Sequence, residues 1–172
     1  IEVVNGALVI RHWGAPILGQ NHDIALASRV SIANSSWDEP QLPGLMRESS
    51  RGFLGRGSLS GHRNGKAWST KFEVTDFHHQ GNHCAITLRD FHAELEVAVT
   101  FDLDAFGVLI QKATVKNIGK SDYVLNEFIH WLPLPQEATQ TLDFAGRWSN
   151  ERQPQRRDIQ IGTWVRESRE GR

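Results

Sequence analysis

The amino-acid sequence predicts an all-β domain built as a sandwich, and three observations carry that expectation. Residues 94–103 alternate, with Leu95, Val97, Val99, Phe101 and Leu103 on one face and Glu94, Glu96, Thr100 and Asp102 on the other, which is the pattern of a half-buried strand. Short candidate strands of this kind recur, each bounded by Gly, Asn, Asp or Pro, the rhythm of a sandwich. Helical character is confined to a hint over residues 23–28.

In chain order the first candidate strand is 7–12. Residues 34–65 then form a long segment rich in Ser, Gly, Pro and Arg with little periodicity, and loops of that length are commonly functional or disordered. Strands are expected at 69–76 and 83–89, joined through Gln80-Gly81-Asn82, and at 94–103. Asp104-Ala105-Phe106-Gly107 supplies turn chemistry, and 108–117 resumes with Leu109, Ala113 and Val115 opposed to Lys112, Thr114 and Lys116. The pair reads as a hairpin. Two further strands are predicted at 123–131 and 159–166, and no internal repeat or low-complexity tract is present.

Composition bounds the function. A chain of 172 residues with 39% hydrophobic residues is one domain's worth, 1–172, with enough apolar surface for a core. Nineteen basic against twenty acidic side chains give a net charge of -1, so no overall field favours nucleic acid or an anionic membrane. The single cysteine, Cys84, permits no internal disulfide, and a reducing cytoplasm is the expected compartment. No apolar window approaches a membrane span, and the start lacks a basic region followed by an apolar stretch. The chain opens at Ile1 without Met and stops at Arg172 inside a charged stretch, which reads as a fragment of a larger protein.

Candidate chemistry is sparse. His78, His79, His83 and Cys84 have the residue types of a zinc shell, but strand alternation sends His78 and His79 to opposite faces. No metal or other cofactor is therefore expected. A Gly-x-Ser-x-Gly elbow is absent, so a serine nucleophile has no presenting turn. Glycoside hydrolysis needs two carboxyl groups facing each other across the scissile bond, and the acids here sit on what look like solvated strand faces. The loop 46–62 is richer. It holds Gly52, Gly55, Gly57 and Gly61, with Arg47, Arg51 and Arg56 around Phe53 and Leu54. Such glycines allow close backbone approach, and Arg with an exposed aromatic is the pairing enriched at interfaces and sugar sites; flexibility alone is the plainer alternative. The stretch 143–169 sets Trp148 and Trp164 among six arginines, side chains that stack on flat faces and grip planar anions or sugar hydroxyls. With Trp13 they offer an aromatic platform for sugar, against the plainer reading of core or interdomain packing.

Several short motifs follow one another in a familiar order: Gly6-Ala7-Leu8-Val9-Ile10, His12-Trp13-Gly14-Ala15-Pro16, Ser49-Ser50-Arg51-Gly52, Gly146-Arg147-Trp148 and Glu151-Arg152. Thr114-Val115-Lys116-Asn117 with Gly119, then Pro154-Gln155-Arg156-Arg157 and Gly162-Thr163-Trp164, extend the likeness over nearly the whole chain. Together they make the sequence resemble the amino-terminal domain of glycoside hydrolase family 36 α-galactosidases, in versions most like those of actinobacteria. The resemblance implies a galactose-mutarotase-like β-supersandwich of two large antiparallel sheets, placed before a (β/α)₈ barrel. It implies retaining hydrolysis of terminal α-galactosides such as melibiose and raffinose by two barrel Asp residues, whose Lys-Trp-Asp signature is missing here. The implied partners are the barrel, further copies of the enzyme and the α-galactoside. In tetrameric members a loop with the pattern Gly-x-Gly-Asp, Phe or Tyr, Arg reaches a neighbour's active site. Gly55-Arg56-Gly57-Ser58-Leu59-Ser60 stands at the matching place, with serines for the Asp and Arg. Arg51, Phe53 and Arg56 are the candidate sugar-contacting residues in trans, and Trp148, Glu151, Arg152 and Trp164 the candidate seam to the barrel. The competing expectation is a stand-alone carbohydrate-binding or assembly module.

Overall fold

A computed structural model describes residues 1–14, 44–134 and 137–167. Among these the chain is all-β and antiparallel, as the alternating pattern predicts, with a single 3₁₀ turn at Ser49–Arg51. It separates into two compact units, Ile1–Pro133 and Leu134–Arg172. No helix among the described residues is long and apolar enough to cross a membrane.

The first unit is organised on a four-stranded meander of β4 (Glu73–Gln80), β5 (His83–Asp90), β6 (Leu95–Leu103) and β7 (Leu109–Asn117), paired in sequence order. Register explains the core. Ile86 opposes Val99, Leu88 opposes Val97, and Val97 and Val99 in turn oppose Val115 and Ala113. These side chains share one face, and Ile86, Leu88, Leu95, Val97 and Val99 are all buried there. Each fully buried side chain of this size contributes roughly 1.5–3 kcal/mol. The opposite face carries Arg89 against Glu96 and His83 against Asp102, the polar alternate positions of the same strands.

Three turns hold the meander. Gly81 adopts φ +58° between β4 and β5. Between β5 and β6 the buried Asp90 carboxylate accepts the backbone N–H groups of His92 and Ala93 at 2.8 Å and that of Lys71 at 2.7 Å, so a charged side chain is satisfied inside the fold. After β6, Asp104 Oδ1 accepts from Phe106 N and Val108 N, each at 2.8 Å, and closes the loop expected from its turn residues.

Two smaller pairs complete this unit. β1 (Glu2–Val4) and β2 (Ala7–Val9) form a hairpin through Asn5 and Gly6, both at positive φ, the Asn-Gly chemistry of a tight hairpin. β3 (Leu59–His62) pairs with β8 (Val124–Phe128). Gly61 is required at that pairing, because a Cβ there would lie 2.5 Å from the Val124 carbonyl oxygen and from the Tyr123 ring. Leu8, Leu45, Met46, Leu59 and Phe72 cover the buried face of the meander and form one cluster with it.

The second unit is a hairpin of β9 (Gln140–Arg147) and β10 (Asn150–Asp158). A bulge between Asn150 and Gln153 places Arg152 at φ 55°. The expectation of a strand at 159–166 is not met: this segment forms no ladder, and Gly162 turns it at φ +127°. Its Ile, Trp and Val raise β propensity without supplying a partner strand. β10 escapes sequence reading for the converse reason. It has no apolar alternation and contains Pro154, which a two-stranded ribbon tolerates because one edge needs no N–H donor. The expected helical turn at 23–28 lies outside the described residues.

Candidate functional site

The loop between Gly44 and Ser58 is shaped by one buried acid. Glu48 accepts a hydrogen bond from Phe72 N at 2.8 Å and one from Arg51 Nε at 3.1 Å. Arg51 also donates to two backbone carbonyls, Phe72 O at 2.7 Å and Asn5 O at 3.4 Å. The guanidinium thus ties the loop to the β1–β2 hairpin and to the approach to β4. Burial pushes the Glu48 carboxyl up to about 7, against the opposing pull of the Phe72 N–H and the Arg51 charge. A cavity of about 300 Å³ adjoins the pair, lined by Leu8, Glu48, Ser50, Arg51, Lys71 and Phe72 among others.

The three residues expected to contact sugar are distributed, not convergent. Arg51 faces inward, as described. Arg56 forms a bidentate ion pair with Glu127 of β8, with one contact at 2.8 Å from Nε to Oε2. Phe53 joins a cluster that sequence reading passed over: its ring meets Trp131 edge to face at 6.3 Å, and the Arg47 guanidinium stacks 5.4 Å from Phe53 and 5.8 Å from Trp131.

Ser58 explains the position of that cluster. It is fully buried, its hydroxyl accepts from Arg47 N at 2.7 Å, and its N–H donates to Arg47 O at 2.8 Å. Ser58 O in turn accepts from Ile129 N at 2.7 Å. Ser58 is therefore an internal clasp, its hydroxyl holding Arg47 within the loop and its backbone carbonyl holding the chain just after β8. Ser60 is exposed.

The second unit presents the arginine and tryptophan stretch. Trp148 is 84% exposed at the β9–β10 turn, where Glu151 accepts from Ser149 N at 2.8 Å. Arg152 occupies the bulge. Trp164 lies under the Arg157 guanidinium, 5.2 Å from its ring centre, beside a cavity of about 520 Å³ that also takes in Thr141, Asp158, Gln160 and Thr163. Trp148 and Trp164 thus occupy different places on the unit, and Trp13, at the first unit's amino-terminal end, is partly exposed.

The histidine group disperses in the manner strand alternation dictates. His78 opposes Ala85 and His79 opposes Cys84, so successive side chains leave on opposite faces, while His83 Nδ1 pairs with Asp102 at 2.6 Å. Among the described residues no three His, Cys, Asp or Glu side chains gather to hold a metal.

Sequence reasoning named Arg51 and Phe53, and met Ser58 only as a departure from the loop pattern, but missed Glu48 and Trp131. A signal existed for one of them: Glu48 and Arg51 are spaced i,i+3, the separation at which opposite charges meet across a helical turn. Nothing local links Trp131 to Arg47, 84 positions earlier in the sequence.

Residues 6–172 match the glycosyl hydrolase family 36 N-terminal domain. An alpha-galactosidase of Escherichia coli is 29% identical over 160 residues, covering 93% of this chain and 23% of that protein. The chain thus spans about a quarter of its relative's length. No solved structure matches.

Proposed function

The chain belongs to the glycosyl hydrolase family 36 N-terminal domains, and from that membership we propose that it serves an α-galactosidase as the domain that supports a separate catalytic barrel. The observation that carries the proposal is the family match over residues 6–172 together with the likeness to the Escherichia coli enzyme. On this reading the whole enzyme is cytoplasmic and oligomeric, and it hydrolyses terminal α-galactosides such as melibiose and raffinose. Configuration is retained through a covalent glycosyl-enzyme formed on a barrel Asp. This chain contributes no catalytic group and needs no cofactor.

Within that frame Trp148, Glu151, Arg152 and Trp164 form the seam toward the barrel. The reading is supported by the second unit, none of whose described residues is buried, and by the general use of aromatics and arginines at interdomain contacts. Arg51 acts by setting the loop from within, and Phe53 and Arg56 approach a neighbouring subunit's sugar pocket. The decisive assay uses the full open reading frame. Its product should release galactose from p-nitrophenyl α-galactoside and from melibiose with retention seen by proton NMR, while the 172-residue chain alone should not. A full-length product inert toward both substrates overturns the assignment. The trans contact is checked separately: a full-length triple variant, Arg51→Ala, Phe53→Ala and Arg56→Ala, should raise KM for melibiose, and an unchanged KM removes that role.

One observation favours the alternative of a sugar-binding module, namely the cavity of about 520 Å³ beside Trp164 and Arg157. Calorimetric titration of the chain with galactose separates the two, since saturable binding that Trp164→Ala abolishes belongs to the module alone.

A further inference from the structure

The chain contains two Asn-Gly steps, both at turns, and the fold treats them differently. Asn5-Gly6 joins β1 to β2 and Asn64-Gly65 follows β3, each with both residues at positive φ. Asn5-Gly6 closes a ladder of three residue pairs, and other elements hold it: Asn5 O accepts from Arg51 Nη1 at 3.4 Å and Gly6 O from Val74 N at 2.8 Å. A Cβ on Gly6 would lie 3.3 Å from the Glu73 side chain. Asn64-Gly65 closes only an isolated bridge, in which Arg63 N donates to Lys66 O at 2.8 Å and Lys66 N to Arg63 O at 2.9 Å. Asn64 and Gly65 are exposed, and a Cβ on Gly65 would meet nothing within 4 Å. Among the described residues the Asn64 side-chain amide holds no hydrogen bond that would fix it elsewhere.

The Asn64 turn also carries a base. Gly65 N–H donates to His62 Nδ1 at 3.2 Å, so an imidazole nitrogen is already the acceptor of that backbone proton. The side-chain carbonyl carbon of an asparagine is an electrophile within reach of the next amide nitrogen, and glycine in that place leaves the nitrogen unshielded. A base that takes the amide proton as the nitrogen attacks makes it the stronger nucleophile. Attack also requires rotation about the Asn64 Cα–C bond, out of the turn, and an isolated bridge opens more readily than a ladder.

We propose that Asn64 is a site of spontaneous deamidation, with His62 as the general base. His62 Nδ1 takes the proton of Gly65 N as that nitrogen bonds to Asn64 Cγ. The bond from Cγ to Nδ2 then breaks, the proton passes from His62 to the departing nitrogen, and ammonia leaves a cyclic succinimide behind. Water opens the ring at either carbonyl to give aspartate or isoaspartate, so the net change is one water taken up and one ammonia lost. Both products place a negative charge at the residue after Arg63, whose guanidinium donates to Ala93 O at 3.0 Å and to Asn117 Oδ1 at 2.7 Å. Isoaspartate also lengthens the turn by one backbone carbon. The inference stands apart from the α-galactosidase reading and survives its failure.

The test incubates the 172-residue chain near neutral pH and reads the extent of reaction at each Asn-Gly step by mass spectrometry of peptic peptides. Isoaspartate is identified by methyl transfer from S-adenosylmethionine with an isoaspartyl methyltransferase. In the folded chain Asn64 should react at least about tenfold faster than Asn5. The two rates should converge in guanidinium chloride, where both turns and the His62 contact are lost. His62→Gln keeps a hydrogen-bond acceptor and removes the basic nitrogen, so it should slow Asn64 at least about tenfold while leaving Asn5 unaffected. Equal rates at the two sites in the folded chain overturn the proposal, as does an Asn64 rate that His62→Gln leaves unchanged or raises. Should His62→Gln fail to fold, the ratio of the two sites in the folded and the unfolded native chain decides alone.

Discussion

β6 and β9 are both alternating antiparallel strands, yet they meet opposite fates. In β6, Val97 is wholly buried and Val99 is 4% exposed, whereas in β9 Leu142 is 48% and Phe144 56% exposed. The cross-strand neighbours differ accordingly. Val97 and Val99 stand between Leu88 and Ile86 on one side and Val115 and Ala113 on the other. Leu142 and Phe144 oppose Arg156 and Pro154 of a single partner strand. The tail after β10 turns to the other face, where Arg166 donates to Phe144 O at 2.6 Å and lies 3.5 Å from Asp143. Alternation therefore encodes two-sidedness, and burial requires in addition an element on the apolar side.

Core truncation tests this contrast most severely. Phe72→Ala, at a side chain 1% exposed within the core cluster, should cost about 3–5 kcal/mol in chemical denaturation of the chain. Phe144→Ala should cost under about 0.5 kcal/mol, as for other surface substitutions. Equal costs would show that the hairpin's apolar face is covered in solution and would abolish the distinction.

Next in size is the buried acid. Burial lifts the Glu48 carboxyl from its ordinary 4.5 to about 7 in the fold, so the folded state binds its proton more tightly than the unfolded chain. The resulting stability is complete below about pH 4.5 and is lost as pH rises to about 7, by roughly 3 kcal/mol. Unfolding free energies measured across that window should fall for the native chain by this increment more than for Glu48→Gln. Parallel profiles would mean that the Arg51 pair keeps the carboxylate ionised throughout.

The smallest expected effect sharpens the comparison within the first unit. Gly61→Ala forces a Cβ against backbone at 2.5 Å and should destabilise by about 1–3 kcal/mol. Gly52→Ala has open space around it and only the strain of φ +88°, a cost of about 1 kcal/mol. Indistinguishable thermal midpoints for the two variants would remove close packing as the reason for Gly61.

Legibility followed the same division. β5, β6 and β7 begin and end within a residue or so of their expected bounds because apolar alternation and turn residues agree there. The Asn5-Gly6 hairpin announces itself only once its flanking Val and Leu residues are seen as two strands instead of one. β10 escapes a reading of alternation because Pro154 and its Gln and Arg residues mask a ribbon strand that buries nothing, and β9 offers only Leu142 and Phe144 on its apolar face. Of the site, Arg51 was visible as an arginine in a glycine-rich loop, but its inward turn depends on Glu48, whose burial no local pattern records.

What the sequence determined by itself is the all-β class, the β6–β7 hairpin and the family, because each is written in residues close together or in motifs kept in order. Only the tertiary structure decided which charges are spent and which remain. Arg56 meets Glu127 across 71 positions, Arg51 reaches Asn5 across 46, and Arg47 stacks on Trp131. A guanidinium takes whichever acceptor or ring packing brings within a few ångströms, and that neighbour is set by how the strands assemble.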